Sequence, residues 1–386
     1  MIHLLLLIIY LSFVSLGLPD AMLGAAWPIM SQELNVPVSY AGMVAMVISL
    51  GTIVSSFLSD RMTRTFGTGR VTAVSVGLTA AALLGFSAST AYWQLILWAI
   101  PYGLGAGSVD ASLNNYVALH YASRHMSWLH CMWGVGASAG PSIIGMALTG
   151  GMGWSTGYRI IGVFQILLTA VLFFSLPLWK KSAGAGEGEK GTEKALSLRE
   201  ILAIPGAKEI MLAFFCYCAA EQTAILWGSS YLVLVVGMEK EIAASLGSLF
   251  LIGITLGRFA SGFITYRLND RNLIRLGQAI MVAGMIVMVL PLGPWAAMAG
   301  LLLVGLGSAP IYPSIIHSTP GIFGAERSQA IIGVLMASAY IGCLTMPTVF
   351  GFLANHITPA LLPLYLGIIN ATMILMCEKL NRLKAR

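Results

Sequence analysis

Apolar runs, each close to the length of a bilayer-spanning helix, follow one another along almost the whole chain. No other feature of the sequence restricts its folding as much. A spanning helix needs about 20 apolar residues. Twelve such segments can be marked, at 3–31, 38–58, 71–89, 93–119, 128–150, 157–179, 209–236, 242–265, 272–291, 295–317, 328–354 and 359–377. Of the 386 residues 58% are hydrophobic and 9% are charged, against about 25% charged in an ordinary soluble chain. So few charges cannot cover a water-exposed surface, and so apolar a chain does not stay disordered. The net charge of +6 comes from 21 basic and 15 acidic residues without a dense basic block, which argues against nucleic-acid binding. A transmembrane β-barrel would show short alternating segments instead. The expected fold class is all-α polytopic, with twelve transmembrane helices whose main contact is the lipid bilayer.

Cysteine usage adds little chemistry. Cys131, Cys216, Cys218, Cys343 and Cys377 all lie in or beside apolar stretches. An odd number in such surroundings suits buried small hydrophobes better than disulfides or a metal site. No metal and no cofactor is expected. The first apolar run lacks a basic start and continues to about Met30, so it is read as a retained span and not a signal peptide.

The one long polar stretch runs from Lys180 to Lys208 and is rich in Gly, Ala, Ser, Lys and Glu. It reads as a flexible linker with a short amphipathic helix near Leu196–Leu202. The domains expected are a six-helix bundle at 1–179, a cytoplasmic linker at 180–208 and a second six-helix bundle at 209–386. With both termini cytoplasmic, 18 of the 21 basic residues fall on the inner side and only Arg159 and Lys240 on the outer. That bias satisfies the positive-inside rule and supports an even number of spans. The location expected is the cell inner (plasma) membrane.

The two halves repeat one another. Gly103-Leu-Gly-Ala-Gly in the fourth segment matches Gly305-Leu-Gly-Ser-Ala in the tenth, 202 residues on. Gly51 matches Gly253 at the same offset of 202, and Asp20 matches Glu221 at 201. The fifth segment spaces Gly136, Pro141 and Gly145 as the eleventh spaces Gly342, Pro347 and Gly351, at an offset of 206. Each motif alone is a common packing device in membranes. Four at nearly one offset indicate a duplicated six-helix unit, the plan of transporters that rock two halves about a central site.

A few ionisable groups lie deep in the apolar segments, where charge is costly and function is the default reading. Asp20 stands beside Pro19 and Gly17, which loosen the helix. It reads either as a proton carrier or as a cap for amides freed by a kink. Asp110 and Asn114 are four apart and share a helix face, suited to the hydroxyls of a polar solute or to a polar contact between helices. Asn115 follows. Glu221 sits near the middle of the seventh segment, with Gln222 and Trp227 after it. A carboxyl held away from water favours its neutral form, which suits a proton carrier. Arg258 reads as a structural ion pair at a cytoplasmic gate. His130 begins the run His130-Cys-Met-Trp133 and is balanced between a satisfied core group and a site residue. For His317, at a segment end, the structural reading leads. Trp27, Trp133 and Trp227 lie near the acidic residues and could stack on a sugar face, or belong to belts and packing.

No Walker loop, H-E-x-x-H or G-x-S-x-G motif is present. The chain therefore reads as no enzyme, and a solute carrier without an ATP site runs on gradients. The run Ser59-Asp60-Arg61-Met-Thr-Arg64-Thr-Phe-Gly67 resembles the signature loop between the second and third helices of the major facilitator superfamily. Ser56 and Thr63 stand where that signature has glycines. The resemblance covers essentially the whole chain and implies that Asp60, with Arg61 and Arg64, locks and releases the inward gate. Within the superfamily the chain resembles the fucose permease-like sugar–proton symporters. The fourth-segment run ending at Asp110 and Asn114 is similar to that group's motif, where a glutamate takes the aspartate position, and Asp20 matches its membrane aspartate. His130 and Trp133 fall where the group has polar substrate-lining residues of other types. Gly305-Leu-Gly-Ser-Ala-Pro310-Ile-Tyr312-Pro313 looks like its tenth-helix motif, which places Tyr312 at the substrate.

By this resemblance Asp20 couples to protons and Asp110 with Asn114 contacts substrate. Asp20, Glu221 and Asp110 form the expected proton-coupling set. Asp110, Asn114, Asn115, His130, Trp133, Gln222, Trp227, Trp27 and Tyr312 form the expected substrate-binding set. The function expected is secondary active transport of a small polar solute, a sugar, by alternating access and proton symport, with the chain acting as a monomer. Gly136-x3-Gly140-Pro141-x3-Gly145 also looks like the fifth-helix motif of drug–proton antiporters, which keeps efflux of amphipathic compounds as the alternative. A non-transporting receptor in the same fold is the third reading, disfavoured by the intact membrane acids.

Overall fold

A computed structural model describes residues 2–37, 40–182, 196–239 and 249–384. Among these residues the secondary structure is helical. The helices are α1 Ile2–Gly17, α2 Met22–Glu33, α3 Ala41–Phe66, α4 Thr68–Ala88, α5 Tyr92–His120, α6 Ser123–Thr149, α7 Gly153–Phe174, α8 Leu176–Ser182, α9 Leu198–Ala203 and α10 Ala207–Leu234. After them come α11 Leu249–Ile264, α12 Asp270–Val289, α13 Pro294–Ser308, α14 Ile311–Phe323, α15 Ala325–His356 and, after a 3-10 turn, α16 Leu362–Lys384. Among the described residues ten helical stretches are long and apolar enough to cross a membrane, counting Leu4–Glu33 and Pro294–Phe323 as single stretches. The 29-residue α5 and the apolar α11 occupy the two remaining predicted segments. The starts of the second and eighth predicted segments and residues 183–195 of the predicted linker lie outside the described residues. The short linker helix is present as α9, closed by a reciprocal capping box between Ser197 and Glu200.

The chain forms two compact units, Met1–Tyr116 with Leu129–Leu196, and Val117–Trp128 with Ser197–Arg386. The short Val117–Trp128 segment, the end of α5 and the start of α6, thus belongs to the second unit.

The repeat read from the sequence is, in each unit, a close helix crossing. A methyl group on Gly51 of α3 would lie 3.2 Å from the Gly103 Cα of α5, and one on Gly103 would overlap the Ile48 carbonyl. In the second unit a methyl on Gly253 of α11 would come 2.5 Å from the Leu302 carbonyl oxygen of α13, and one on Gly305 would overlap the Phe250 carbonyl. Helices approach this closely only where Cβ atoms are missing.

Span one is broken, as Gly17 and Pro19 predict. Residues 18–21 turn between α1 and α2, with Leu18 N–H on Val14 O at 3.0 Å and Asp20 N–H on Gly17 O at 3.1 Å. The break seats on α6: methyl groups at Gly136 and Gly140 would overlap the Val14 and Leu18 carbonyl oxygens, and one at Gly17 would overlap the Trp133 carbonyl. The motif of Gly136, Gly140 and Pro141 is thus used here to admit a kinked neighbour. Gly145, the last glycine of that motif, has open space around it. We expect Gly140→Ala to cost about 1–3 kcal/mol by forcing the two backbones apart. Gly145→Ala should leave thermal unfolding in detergent unchanged, and equal losses in both variants would contradict this packing.

The signature run is not a loop. Ser59–Phe66 forms the last two turns of α3, and Gly67 alone, at φ +79°, turns the chain into α4. Only a residue without Cβ adopts that angle at little cost.

Candidate functional site

The first unit brings five of the expected residues together. Asp20 lies near the middle of the stretch Leu4–Glu33, in the break, and its carboxylate is exposed. Trp133 Nε1 of α6 donates to its Oδ2 at 2.7 Å, and the Tyr102 hydroxyl of α5 to its Oδ1 at 3.5 Å. Both donors are neutral, and among the described residues no cation pairs with Asp20.

One turn earlier on α6, His130 shares the face of Trp133. Its Nε2 lies 3.0 Å from Asn114 Oδ1. Asn114 Nδ2 in turn donates to Asp110 Oδ1 at 2.8 Å, and to the Asp110 carbonyl at 3.0 Å. Asp110, Asn114 and His130 are all buried. Phe13 closes this chain edge-on, its ring 5.4 Å from the imidazole. Two polar assemblies, one holding an accessible carboxylate and one a buried carboxylate–amide–imidazole chain, are therefore linked by a single turn of α6. Asn115 is also buried but lies about 100° around α5 from that face.

The second unit forms a different cluster. Glu221, at the middle of α10, accepts from Arg258 Nη2 at 3.3 Å, and the same nitrogen donates to the Tyr217 hydroxyl at 3.4 Å. Arg258 is 2% exposed and Tyr217 is fully buried. Tyr312 packs its ring 5.8 Å from that of Tyr217 and 4.7 Å from that of Phe214.

Some expectations need correction. Arg258, expected at a cytoplasmic gate, sits deep against Glu221, because Gly257 lets α11 approach the Leu306 and Ala309 backbone region closely. Trp27 packs in the aromatic core of the first unit, edge-on to Tyr92 at 6.3 Å. Trp227 donates to the Pro347 carbonyl at 3.1 Å and packs edge-on against Phe350, so it packs on α15 beside Pro347 and lies six residues from Glu221, on another face. Gln222 is half-buried and makes no side-chain hydrogen bond among the described residues. At the end of α3, Asp60 pairs with Arg64 at 2.9 Å one helical turn on, while Arg61 is exposed. The sequence reading missed Tyr102 and Tyr217. Their signal was position: Tyr217 stands one turn before Glu221, and Tyr102 two turns before Asp110.

Comparison with known proteins gives consistent matches. The family model of the Major Facilitator Superfamily matches residues 9–347. The glucose/mannose transporter GlcP of Bacillus subtilis is 21% identical over 367 residues, covering 90% of this chain and 88% of GlcP. Bypass of stop codon protein 6 of Saccharomyces cerevisiae is 24% identical over 285 residues, 67% of this chain and 56% of the yeast protein. FucP, the Escherichia coli fucose:proton symporter, in its outward conformation superposes with a TM-score of 0.80 at 16% identity, covering 97% of each chain.

Proposed function

Since the chain belongs to the major facilitator superfamily, a multi-pass family of membrane transporters and not of enzymes, we propose that it carries a small polar solute, a sugar, across the membrane together with protons by alternating access. The observation that carries this reading is the α6 turn that puts Trp133 on Asp20 and His130 on Asn114. An accessible carboxylate bonded only by neutral donors can take a proton without breaking an ion pair. A neighbouring carboxylate, amide and imidazole offer the mixed acceptors and donors that hydroxyl groups use. Proton binding at Asp20 and solute binding at Asp110 and Asn114 would then act on one helix. Glu221, paired with Arg258, serves as the fixed charge pair of the other unit and not as a second carrier. The names of GlcP and FucP, a glucose/mannose transporter and a fucose:proton symporter, support the sugar class. The bias of basic residues supports cytoplasmic termini, and a monomer in the plasma membrane is part of the same proposal.

Uptake of labelled sugars into proteoliposomes under an imposed pH gradient tests the reading. Gradient-dependent accumulation of one sugar is expected, and no gradient dependence for any transported solute overturns it. Asp110→Asn removes a charged acceptor, worth about 1.5–3 kcal/mol or roughly 10–100-fold in affinity. Its loss of binding, with Trp27→Phe unchanged, should be seen by equilibrium binding of that sugar. Unchanged affinity in Asp110→Asn removes Asp110 from the site.

A further inference from the structure

We propose that His317 is a proton-binding site separate from the membrane carboxylates, and that its proton holds the α5–α6 turn against α12 and α14. The inference does not rest on the solute or coupling proposed above.

His317 stands on α14 between two acceptors. Its Nδ1 lies 2.6 Å from Asp270 Oδ2, and its Nε2 lies 3.2 Å from the Tyr121 carbonyl oxygen. A carboxylate and a carbonyl can only accept, so both ring nitrogens must carry hydrogen, and the ring in this arrangement is the imidazolium. A neutral ring would turn a lone pair toward one of the two oxygens and lose that contact.

Both oxygens suit a cation. Asp270 is the first residue of α12, after the Asn269 cap, where a negative charge is favoured. Tyr121 follows the last residue of α5, so its carbonyl is among those that a helix end leaves unsatisfied. Asp270 also accepts from Ser123 Oγ at 2.5 Å through its other oxygen. The turn between α5 and α6 is thus fastened twice to one carboxylate, directly by Ser123 and through His317 by Tyr121.

Of the elements packed on α14, α12 brings the one charged side chain that acts on the ring, Asp270. From the α5–α6 turn the facing group is the Tyr121 carbonyl, with the titratable Tyr121 phenol and His125 in mutual ring contact at 5.7 Å. The turn's other ties are Arg124 over the Tyr266 ring at 5.3 Å and Trp128 edge-on to Phe263 at 5.7 Å, with the His125 imidazole in turn edge-on to Trp128 at 5.7 Å. The proton on His317 is the removable part of the fastening. Its loss frees Tyr121 at the tip of the two helices that carry Asp110, Asn114, His130 and Trp133.

Hydrogen–deuterium exchange of the full chain in nanodiscs, without solute or gradient, tests this. Protection of amides 117–128, corrected for intrinsic exchange, is expected to fall about tenfold as pH rises through the imidazole range. Protection in α4 should stay constant. His317→Arg keeps two donors at every pH and should stay protected throughout. His317→Gln should be weakly protected with no pH slope. A flat wild-type profile, or a wild-type slope persisting in His317→Gln or His317→Arg, overturns the assignment. Asp20→Asn should keep the wild-type slope. Loss of the slope there would assign the titration to Asp20 and overturn the His317 site, while leaving the proposed coupling intact.

Discussion

Replacing Asp20 by asparagine is expected to abolish proton-driven accumulation while leaving solute exchange within a few-fold of wild type. The amide keeps the size of the carboxyl and can still accept from Trp133 Nε1, whose bond to Asp20 is 2.7 Å. What it loses is the ability to alternate between charged and neutral forms. For one coupled proton, a gradient of one pH unit drives about tenfold accumulation. In the variant that ratio should fall to one, read as labelled sugar retained in proteoliposomes. Counterflow, which needs no net proton movement, should persist. Tenfold accumulation in Asp20→Asn would remove Asp20 from coupling. Loss of counterflow together with accumulation would make it a binding or folding residue.

The largest effect on stability is expected at Arg258. Its side chain is 3% exposed and that of Glu221 12%, and they meet at 3.3 Å. Deleting one partner of a buried pair leaves a stranded charge and costs about 3–5 kcal/mol. Arg258→Met should therefore lower the unfolding free energy in detergent by that amount. Replacing both partners by neutral groups of similar size is often close to neutral. The double variant with Glu221→Gln should recover most of the loss. If single and double variants unfold alike, the two charges are not coupled.

These two acids were the same kind of feature in the sequence, each a carboxylate in an apolar run, 201 residues apart. Their depth was legible because hydropathy fixes where a span lies. The helix break at 18–21 was legible too, since Gly17 and Pro19 weaken the helix locally. Partners were not. Trp133 is 113 residues from Asp20, and Arg258 is 37 from Glu221. Such pairings depend on which helices cross, and only the duplicated glycines hinted at that. Trp27 was misread for a related reason. Seven residues from Asp20 is the same face of a continuous helix, but the break resets the register and turns Trp27 into the core. The signature run was misread as a loop because its polar residues are those of a helix end emerging from an apolar layer.

Ser56 stands 202 residues before Arg258, the offset that relates the two halves. In the first unit it spends its hydroxyl on the Gly107 carbonyl at 3.4 Å. The duplicated unit thus has a cation in one copy and a small neutral residue in the other. When both carboxylates are ionised, Glu221 is cancelled locally and Asp20 is not. Any reorientation that carries a deprotonated Asp20 through the membrane field does electrical work, about 2.3 kcal/mol for a full charge across 100 mV. On the proposed coupling at Asp20, the divergence of one residue between two copies is expected to make reorientation with Asp20 ionised more sensitive to voltage than reorientation with Asp20 protonated.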